Sequence, residues 1–244
     1  MEKVLIVIPT YNEKDNIKFL LRDIYATVPE VNILVVDDNS PDGTGQLIDE
    51  LIENNTYRNR LFVMHRSGKL GLGTAYIQGF KWGMERGYTI LFSMDADFSH
   101  DPKYLPIMIA EAKKNDLVIG SRYVKRGGTK NWGLMRRIIS RGGSLYARII
   151  LLSNVHDFTG GFNCYHANFL KRINLDTIYS KGYCFQIEMK FRHVLLHAKI
   201  KEVPIIFCDR VNGKSKMSSN IFKEAVLNVI RLSFIRGKIK QMMR

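Results

Sequence analysis

The sequence predicts an α/β fold with a mostly parallel central sheet flanked by helices, and three observations carry that expectation. Continuous apolar runs at residues 4–8, 33–36, 61–64 and 90–94 recur roughly every 28–29 residues. Helical apolar spacing fills the gaps between them, and each run stops on a polar cluster. Strands that are apolar on both sides of the pleat belong to sheets covered on both faces, and helical crossovers make neighbouring strands parallel.

The first run is stopped by Pro9, and Thr10, Tyr11, Asn12 and Glu13 lead into a helix with Ile17, Leu20, Leu21 and Ile24 on one face. Asn12 is the N-cap that this spacing predicts. The second run enters Asp37-Asp38-Asn39-Ser40-Pro41-Asp42-Gly43-Thr44, and the helix beyond carries Leu47, Ile48, Leu51 and Ile52 as its stripe. The third precedes Gly71-Leu72-Gly73-Thr74 and a helix through Trp82. The fourth ends on Asp95 and Asp97; Asp101 then caps a helix that opens at Pro102 and runs to about Lys114.

Residues 117–122 form a further strand ending in the cation Arg122. The segment 134–154 sets Leu134, Met135, Ile138, Ile139, Leu145, Ile149 and Ile150 against Arg136, Arg137, Arg141 and Arg148, with Gly142-Gly143 interrupting it. Such a segment either covers the sheet or lies on a membrane surface. Residues 157–162 are a loop entering a short strand at 163–166, and a helix around 185–196 contains Gln186 and Glu188. A strand at 200–207 leads to a Gly/Ser/Lys-rich loop, read as a cationic flap or as a solvated linker. The expected organisation is a catalytic domain over 1–218 and a basic amphipathic helix over 219–244 at a membrane interface.

Composition narrows the function. With 45% apolar and 25% charged residues in 244, the chain is globular, which excludes disordered and fibrous classes. Its net charge of +14 favours an anionic partner: phosphorylated substrates, an acidic membrane surface or nucleic acid. No helix-turn-helix, zinc-finger or RNA-binding aromatic pattern is visible, so nucleic acid is the remote reading. The first apolar run is too short for a signal peptide, and no run reaches the ~18 residues of a membrane span. The catalytic unit is thus expected to be soluble or peripheral. Cys164, Cys184 and Cys208 are widely spaced, as in reduced proteins. His193 and His197 have i, i+4 spacing but no third ligand nearby, so a structural helix face is the preferred reading.

Asp95 and Asp97 alternate on an extended chain and therefore share one face or one turn. Two such carboxylates either cap a turn or hold a hard cation whose shell is completed by phosphate oxygens. In a parallel sheet the ligand sits beyond the carboxyl ends of the strands. Polar tips at 9–13, 37–42 and 95–99 converge there, which favours a site. The fingerprints of dehydrogenases and P-loop enzymes are missing: Gly71-x-Gly73 lacks its third glycine and follows the third strand. A metal with cations around the crevice suits a diphosphate leaving group, over which Arg210 and Lys216 can close. Asp38 and the 9–13 turn are placed to hold a base or ribose.

These residues carry a resemblance. Val7-Ile8-Pro9-Thr10-Tyr11-Asn12-Glu13, Val36-Asp37-Asp38-Asn39-Ser40, Gly71-Leu72-Gly73-Thr74-Ala75-Tyr76 and Met94-Asp95-Ala96-Asp97-Phe98-Ser99-His100 resemble glycosyltransferase family 2, and within it the polyprenol-phosphate (dolichol-phosphate) mannose synthases. Ile138-Ile139-Ser140-Arg141-Gly142, Asp157-Phe158-Thr159-Gly160, Phe185-Gln186-Ile187-Glu188-Met189 and Asp209-Arg210-Val211 extend the match to roughly residue 220.

The resemblance implies a GT-A fold and inverting transfer of mannose from GDP-mannose to polyprenyl or dolichyl phosphate, with Mg²⁺ or Mn²⁺. Another nucleotide sugar, such as UDP-glucose, is the alternative donor. By the family pattern Pro9, Tyr11, Glu13, Val36 and Asp38 contact the nucleotide, and Asp95, Ala96 and Asp97 address the donor phosphates. Asp97 and Ser99 are the implied metal ligands. Some members carry Gln where Ser99 stands, and the shorter serine would reach an ion through water. Arg122, Arg210 and Lys216 are implied phosphate contacts, and Arg122, Arg136 and Ser140 would lie near the lipid phosphate. Asp95, Asp97 and Arg122 form the implied catalytic set. A lipid phosphate is already ionised, so no general base is required, and direct attack predicts a β-linked product. The membrane acceptor predicts a peripheral protein at the cytoplasmic face, held by its amphipathic helices or by a small membrane-anchoring subunit.

Overall fold

The computed structural model describes residues 2–180, 182, 184–209 and 219–243, with backbone alone over 219–224. The first half alternates strictly: β1 (Val4–Thr10), α1 (Lys14–Thr27), β2 (Asn32–Asp37), α2 (Thr44–Glu53), β3 (Leu61–His65), α3 (Leu72–Glu85) and β4 (Ile90–Ser93). The second half is less regular: α4 (Leu105–Ala112), β5 (Leu117–Ser121), β6 (Gly128–Lys130), α5 (Leu134–Ile150), β7 (Asn163–His166), α6 (Ala167–Leu170), α7 (Cys184–Leu195), β8 (Ile200–Pro204), β9 (Ile206–Cys208), α8 (Ser219–Phe234) and α9 (Arg236–Met242).

Seven strands form one sheet in the order β3-β2-β1-β4-β7-β5-β8, and β6 pairs with β9 apart from it. All neighbours in the large sheet are parallel except β7, which runs antiparallel to both β4 and β5. Strand order reverses at β1, between β2 and β4, so the tips of these three strands border one crevice. Pro9 lies opposite Val36 and Thr10 opposite Asp37, which sets the first two tips level.

The two sheet faces explain the unbroken apolar strands. Leu5 and Val7 of β1 point to a cluster with Tyr76 and Phe80 of α3 and Phe185 and Met189 of α7. Val4, Ile6 and Ile8 point the other way, to Ile17, Leu20 and Leu21 of α1 and Leu105 and Met108 of α4. Burying each such side chain contributes roughly 1.5–3 kcal/mol. Helix α3 approaches the sheet closely because of its glycines: a Cβ on Gly83 would stand 2.6 Å from Leu91 Cδ2 and 2.7 Å from Leu5 Cδ2.

Several expectations are corrected. Asn12 does not cap α1: its φ is 60°, its N–H bonds Ser40 Oγ at 3.1 Å, and Glu13 takes the N-cap position. Gly142-Gly143 does not interrupt α5, which continues through both; a Cβ at either would meet nothing within 4 Å, so no close approach requires glycine there. His197 lies beyond the end of α7 with φ 56°, so its helical spacing from His193 is not realised. His193 is fully buried against Tyr165 and Phe169, and burial pushes its pKa down to about 4. The C-terminal stretch is two helices rather than one. Val229, Leu232, Ile239 and Met243 pack them onto the core beside α7. Arg210 and Lys216 lie outside the described residues.

Candidate active site

Short polar side chains sew the β1 and β2 tips together. Asp37 Oδ1 accepts from Thr10 Oγ1 at 2.8 Å and from Ser40 Oγ at 2.6 Å, and Asp37 Oδ2 accepts the Ser40 N–H at 2.9 Å. Asp37 is therefore consumed in holding the turn, whereas Asp38 faces Arg66, whose Nη1 stands 2.7 Å from Asp38 Oδ1. Burial pushes the Asp38 carboxyl up and the Arg66 guanidinium down, and their attraction opposes both shifts without cancelling them. Tyr11 lies at the rim with Lys69 Nζ 4.5 Å from its ring centroid. Glu13 Oε2 accepts from Asn16 Nδ2 at 2.9 Å. Val36 and Ala96 turn their side chains into the core, so any contact they make with a ligand is through backbone.

At the β4 tip the two carboxylates have different surroundings. Asp97 is buried and accepts from Ser99 N–H at 3.1 Å and Ser99 Oγ at 2.5 Å. Ser99 thus orients Asp97. Asp95 keeps a third of its side chain exposed, accepts from Tyr76 Oη at 2.9 Å, and donates its N–H to His100 Nδ1 at 3.0 Å. That bond leaves the proton of a neutral His100 ring on Nε2, 4.0 Å from Asp95 Oδ2. Burial lowers the His100 pKa, with Asp95 and Asp97 opposing, which keeps the ring neutral near pH 7.

The other half of the crevice is cationic. Arg122 closes a fork on Asp157, with Nε at 2.8 Å from Oδ2 and Nη2 at 2.7 Å from Oδ1; Nη2 also donates to Thr159 Oγ1 at 2.7 Å. Both residues are buried. Burial pushes Asp157 up, but Arg122 and Lys190 outweigh it and hold the carboxyl at about 2. Lys190, fully buried on α7, donates to Phe158 O at 3.2 Å and Gly160 O at 2.6 Å, and burial draws its pKa down to about 7. The loop 157–161 is thereby fixed from two sides. Arg136 bonds Asp209 Oδ1 at 2.7 Å and stacks 4.1 Å from the Trp132 ring centroid; Ser140 accepts from Tyr123 Oη at 2.7 Å.

The two halves touch. Phe207 lies edge-on to His100 at 5.5 Å and to Trp132 at 5.3 Å, and the Arg122 guanidinium sits 5.3 Å from its ring. Gly161 admits the approach from the loop, since a Cβ there would meet His100 Cε1 at 3.3 Å and Asp95 Oδ2 at 3.4 Å. A separate depression of about 700 Å³ beside Lys81, Arg172 and Met243 contains none of these residues.

The sequence match to glycosyl transferase family 2 runs over residues 5–173. The chain belongs to that family. Two relatives are similar over nearly their whole length. An undecaprenyl-phosphate mannosyltransferase of Micrococcus luteus is 49% identical over 94% of this chain and 93% of its own. A polyprenol monophosphomannose synthase of Mycolicibacterium smegmatis is 43% identical over 98% and 89%. In fold, the chain resembles glucosyl-3-phosphoglycerate synthase of Mycobacterium tuberculosis bound to phosphoglyceric acid, with a TM-score of 0.65 at 17% identity over 96% of this chain and 80% of that one. The same enzyme with Mn²⁺, UDP and glucosyl-3-phosphoglycerate gives 0.65 at 16% identity, over 96% and 79%. The protein is a GT-A glycosyltransferase.

The carboxylates at the β4 tip can be tested for fit to a divalent ion. They are hard oxygens, and the described partners of Asp95 are uncharged at neutral pH, so none of them neutralises its charge. Among the described residues no three His, Cys, Asp or Glu side chains gather to cage an ion. Mg²⁺ is commonly held by one or two carboxylates plus substrate phosphates, so the pair suits an ion that arrives with a diphosphate.

The sequence reading missed Tyr76, His100, Arg66, Asp157 and Lys190 as members of the site. Tyr76, His100 and Asp157 stand inside the quoted motifs, so local signal existed for them. Arg66 and Lys190 belong to the site through long-range contacts that no local pattern shows.

Proposed function

We propose that this glycosyltransferase moves mannose from GDP-mannose to polyprenyl or dolichyl phosphate with inversion, releasing GDP and a polyprenyl β-D-mannosyl phosphate. The two near-full-length relatives support the sugar and the acceptor class. The observation that carries the mechanism is that two carboxylates of the acceptor half, Asp157 and Asp209, are each engaged by an arginine. That half is thus arranged to receive an anion rather than to deprotonate a hydroxyl. A phosphate monoester is ionised at neutral pH and can attack C1 directly, so catalysis is positioning plus charge neutralisation.

In this reading Asp38 and the 9–13 tip hold the nucleoside, with backbone of Val36 and Ala96 alongside. Asp97, oriented by Ser99, holds the divalent ion, and Asp95 addresses the donor phosphates. A bound Mg²⁺ or Mn²⁺ would neutralise charge on the leaving diphosphate. Arg136 and the free edge of Arg122 aim the acceptor phosphate, Ser140 lies beside them, and Arg210 and Lys216 supply further phosphate contacts. A panel of radiolabelled nucleotide sugars, with and without polyprenyl phosphate, tests the assignment. GDP-mannose alone should label lipid, and the anomeric coupling of the product should be that of the β-mannoside. Label from UDP-glucose instead, or an α-product, would overturn the donor or the single displacement.

The same acceptor calls for a membrane surface, and we place the protein peripherally at the cytoplasmic face. Leu134, Met135, Ile138, Leu145, Ile149 and Leu152 are exposed along and just beyond α5, Phe234 is exposed on α8, and Arg137 and Arg141 flank them. Among the described residues no helix is long and apolar enough to cross a membrane. The protein should float with anionic vesicles, bind neutral ones less, and lose flotation in Ile138→Glu. Binding only in the presence of a small membrane subunit would assign the anchoring to that partner.

A further inference from the structure

We propose that Tyr76 is a positioning residue for transfer, its hydroxyl fixing the carboxylate of Asp95 in the orientation that addresses the donor. The proposal rests on the reading of Asp95 given above.

Three features place the phenol. Tyr76 is fully buried on α3 and its ring lies 5.9 Å from both Phe80 and Phe185, stacked on each. Helix α3 is seated against β1 and β4 through Gly79 and Gly83, where any added Cβ would collide with Val7, Leu5 or Leu91. The position of Oη is therefore set by helix–sheet packing, and Oη donates to Asp95 Oδ1 at 2.9 Å. The backbone of Asp95 is held independently by His100 Nδ1 at 3.0 Å, and Gly161 closes over Oδ2.

The choice of donor matters as much as its place. Asp38 and Asp157 are oriented by arginines, which cancel much of their charge. A phenol orients without cancelling. A neutral donor leaves Asp95 its negative charge while removing its rotamer freedom, the combination that preorganised electrostatic catalysis needs. Nothing in the packing requires the hydroxyl: the ring alone fills the space between Phe80 and Phe185.

Tyr76→Phe keeps that ring and deletes one oxygen. With GDP-mannose and polyprenyl phosphate as substrates, kcat should fall about 10–100-fold, the scale of a small misplacement of a reacting group. The acceptor KM should stay at the wild-type value, because Arg122 and Arg136 are untouched. Calorimetric titration with GDP and Mn²⁺, which needs no turnover, should show weaker binding and an unchanged thermal unfolding midpoint. In an Asp95→Asn background the same change should have no further effect on GDP–Mn²⁺ binding, since contacts acting through one group are not additive. Wild-type kcat and GDP–Mn²⁺ binding in Tyr76→Phe, with Asp95→Asn impaired, would overturn the inference alone. Equal losses in both backgrounds would make Tyr76 a general packing residue and also overturn it. An Asp95→Asn enzyme at full activity would overturn the reading of Asp95, and this proposal with it.

Discussion

Asp97→Asn is expected to lower transfer about a thousandfold, corresponding to a loss of about 4 kcal/mol of transition-state stabilisation, while the protein stays folded. The argument begins with what asparagine retains. Its side-chain oxygen can still accept from Ser99 N–H and Oγ, the bonds that Asp97 Oδ1 accepts at 3.1 and 2.5 Å. The turn at 97–99 therefore survives, and the thermal midpoint should move by only a few degrees. What asparagine lacks is the charge. In the proposed reading the ion would lose the one carboxylate assigned to it, leaving Asp95, which addresses the donor phosphates, as the only charge at the β4 tip. Asp97→Ala should lower transfer at least as far but cost more stability, because it strands the buried Ser99 N–H at roughly 1–3 kcal/mol. Transfer assayed against a Mn²⁺ titration, beside thermal unfolding, separates these effects. A near-wild-type rate in Asp97→Asn would refute the assignment of Asp97 to the ion. Ser99→Ala, which removes only the orienting hydroxyl, should lose far less.

The first half of the chain was legible because its rules are local. Strands β1 to β4 are apolar runs bounded by polar tips, and the crevice follows from parallel topology without knowledge of any side-chain contact. The second half was less legible for identifiable reasons. The four residues of β7 gave a strand but no direction, since antiparallel entry between β4 and β5 depends on the path of a long connection. Helix α7 carries four polar residues, Gln186, Glu188, Lys190 and Arg192, yet all four are buried. Glu188 and Arg192 pair with each other and hold the 174–180 segment, through Arg192 to Thr177 Oγ1 at 2.8 Å and Ser180 N–H to Glu188 at 2.8 Å. A hydrophobicity pattern assigns polar residues to solvent and cannot foresee a network that satisfies them internally. Arg122 shows the same limit. The sequence placed a cation at the strand tip; the structure adds the partner, 35 residues on, that fixes how the cation is presented.

That partner carries the largest expected effect on stability. Removing the charge of Asp157 leaves Arg122 buried and uncompensated, a change that typically costs 3–5 kcal/mol. Asp157→Asn should therefore shift urea unfolding by about that amount at pH 7. The pH dependence has a definite sign. The folded-state carboxyl titrates at about 2 against an ordinary 3.8, so between those values the unfolded chain binds more protons than the folded one. The Asp157 contribution is complete above about pH 5 and is lost as the pH falls toward 2; the shift corresponds to about 2 kcal/mol. Wild type and Asp157→Asn should accordingly converge in stability by about that much as unfolding is measured from pH 6 down to pH 2. A gap that stays constant would show that the charge is not what stabilises. Function separates from stability in a paired variant, Arg122→Met with Asp157→Leu. Replacing both members of a buried pair by apolar side chains can restore stability. If the proposed role of Arg122 is right, transfer should not return, because the variant lacks the cation assigned to the acceptor phosphate. In Asp157→Asn itself, where Arg122 persists but its fork is loosened, the acceptor KM should rise more than the donor KM.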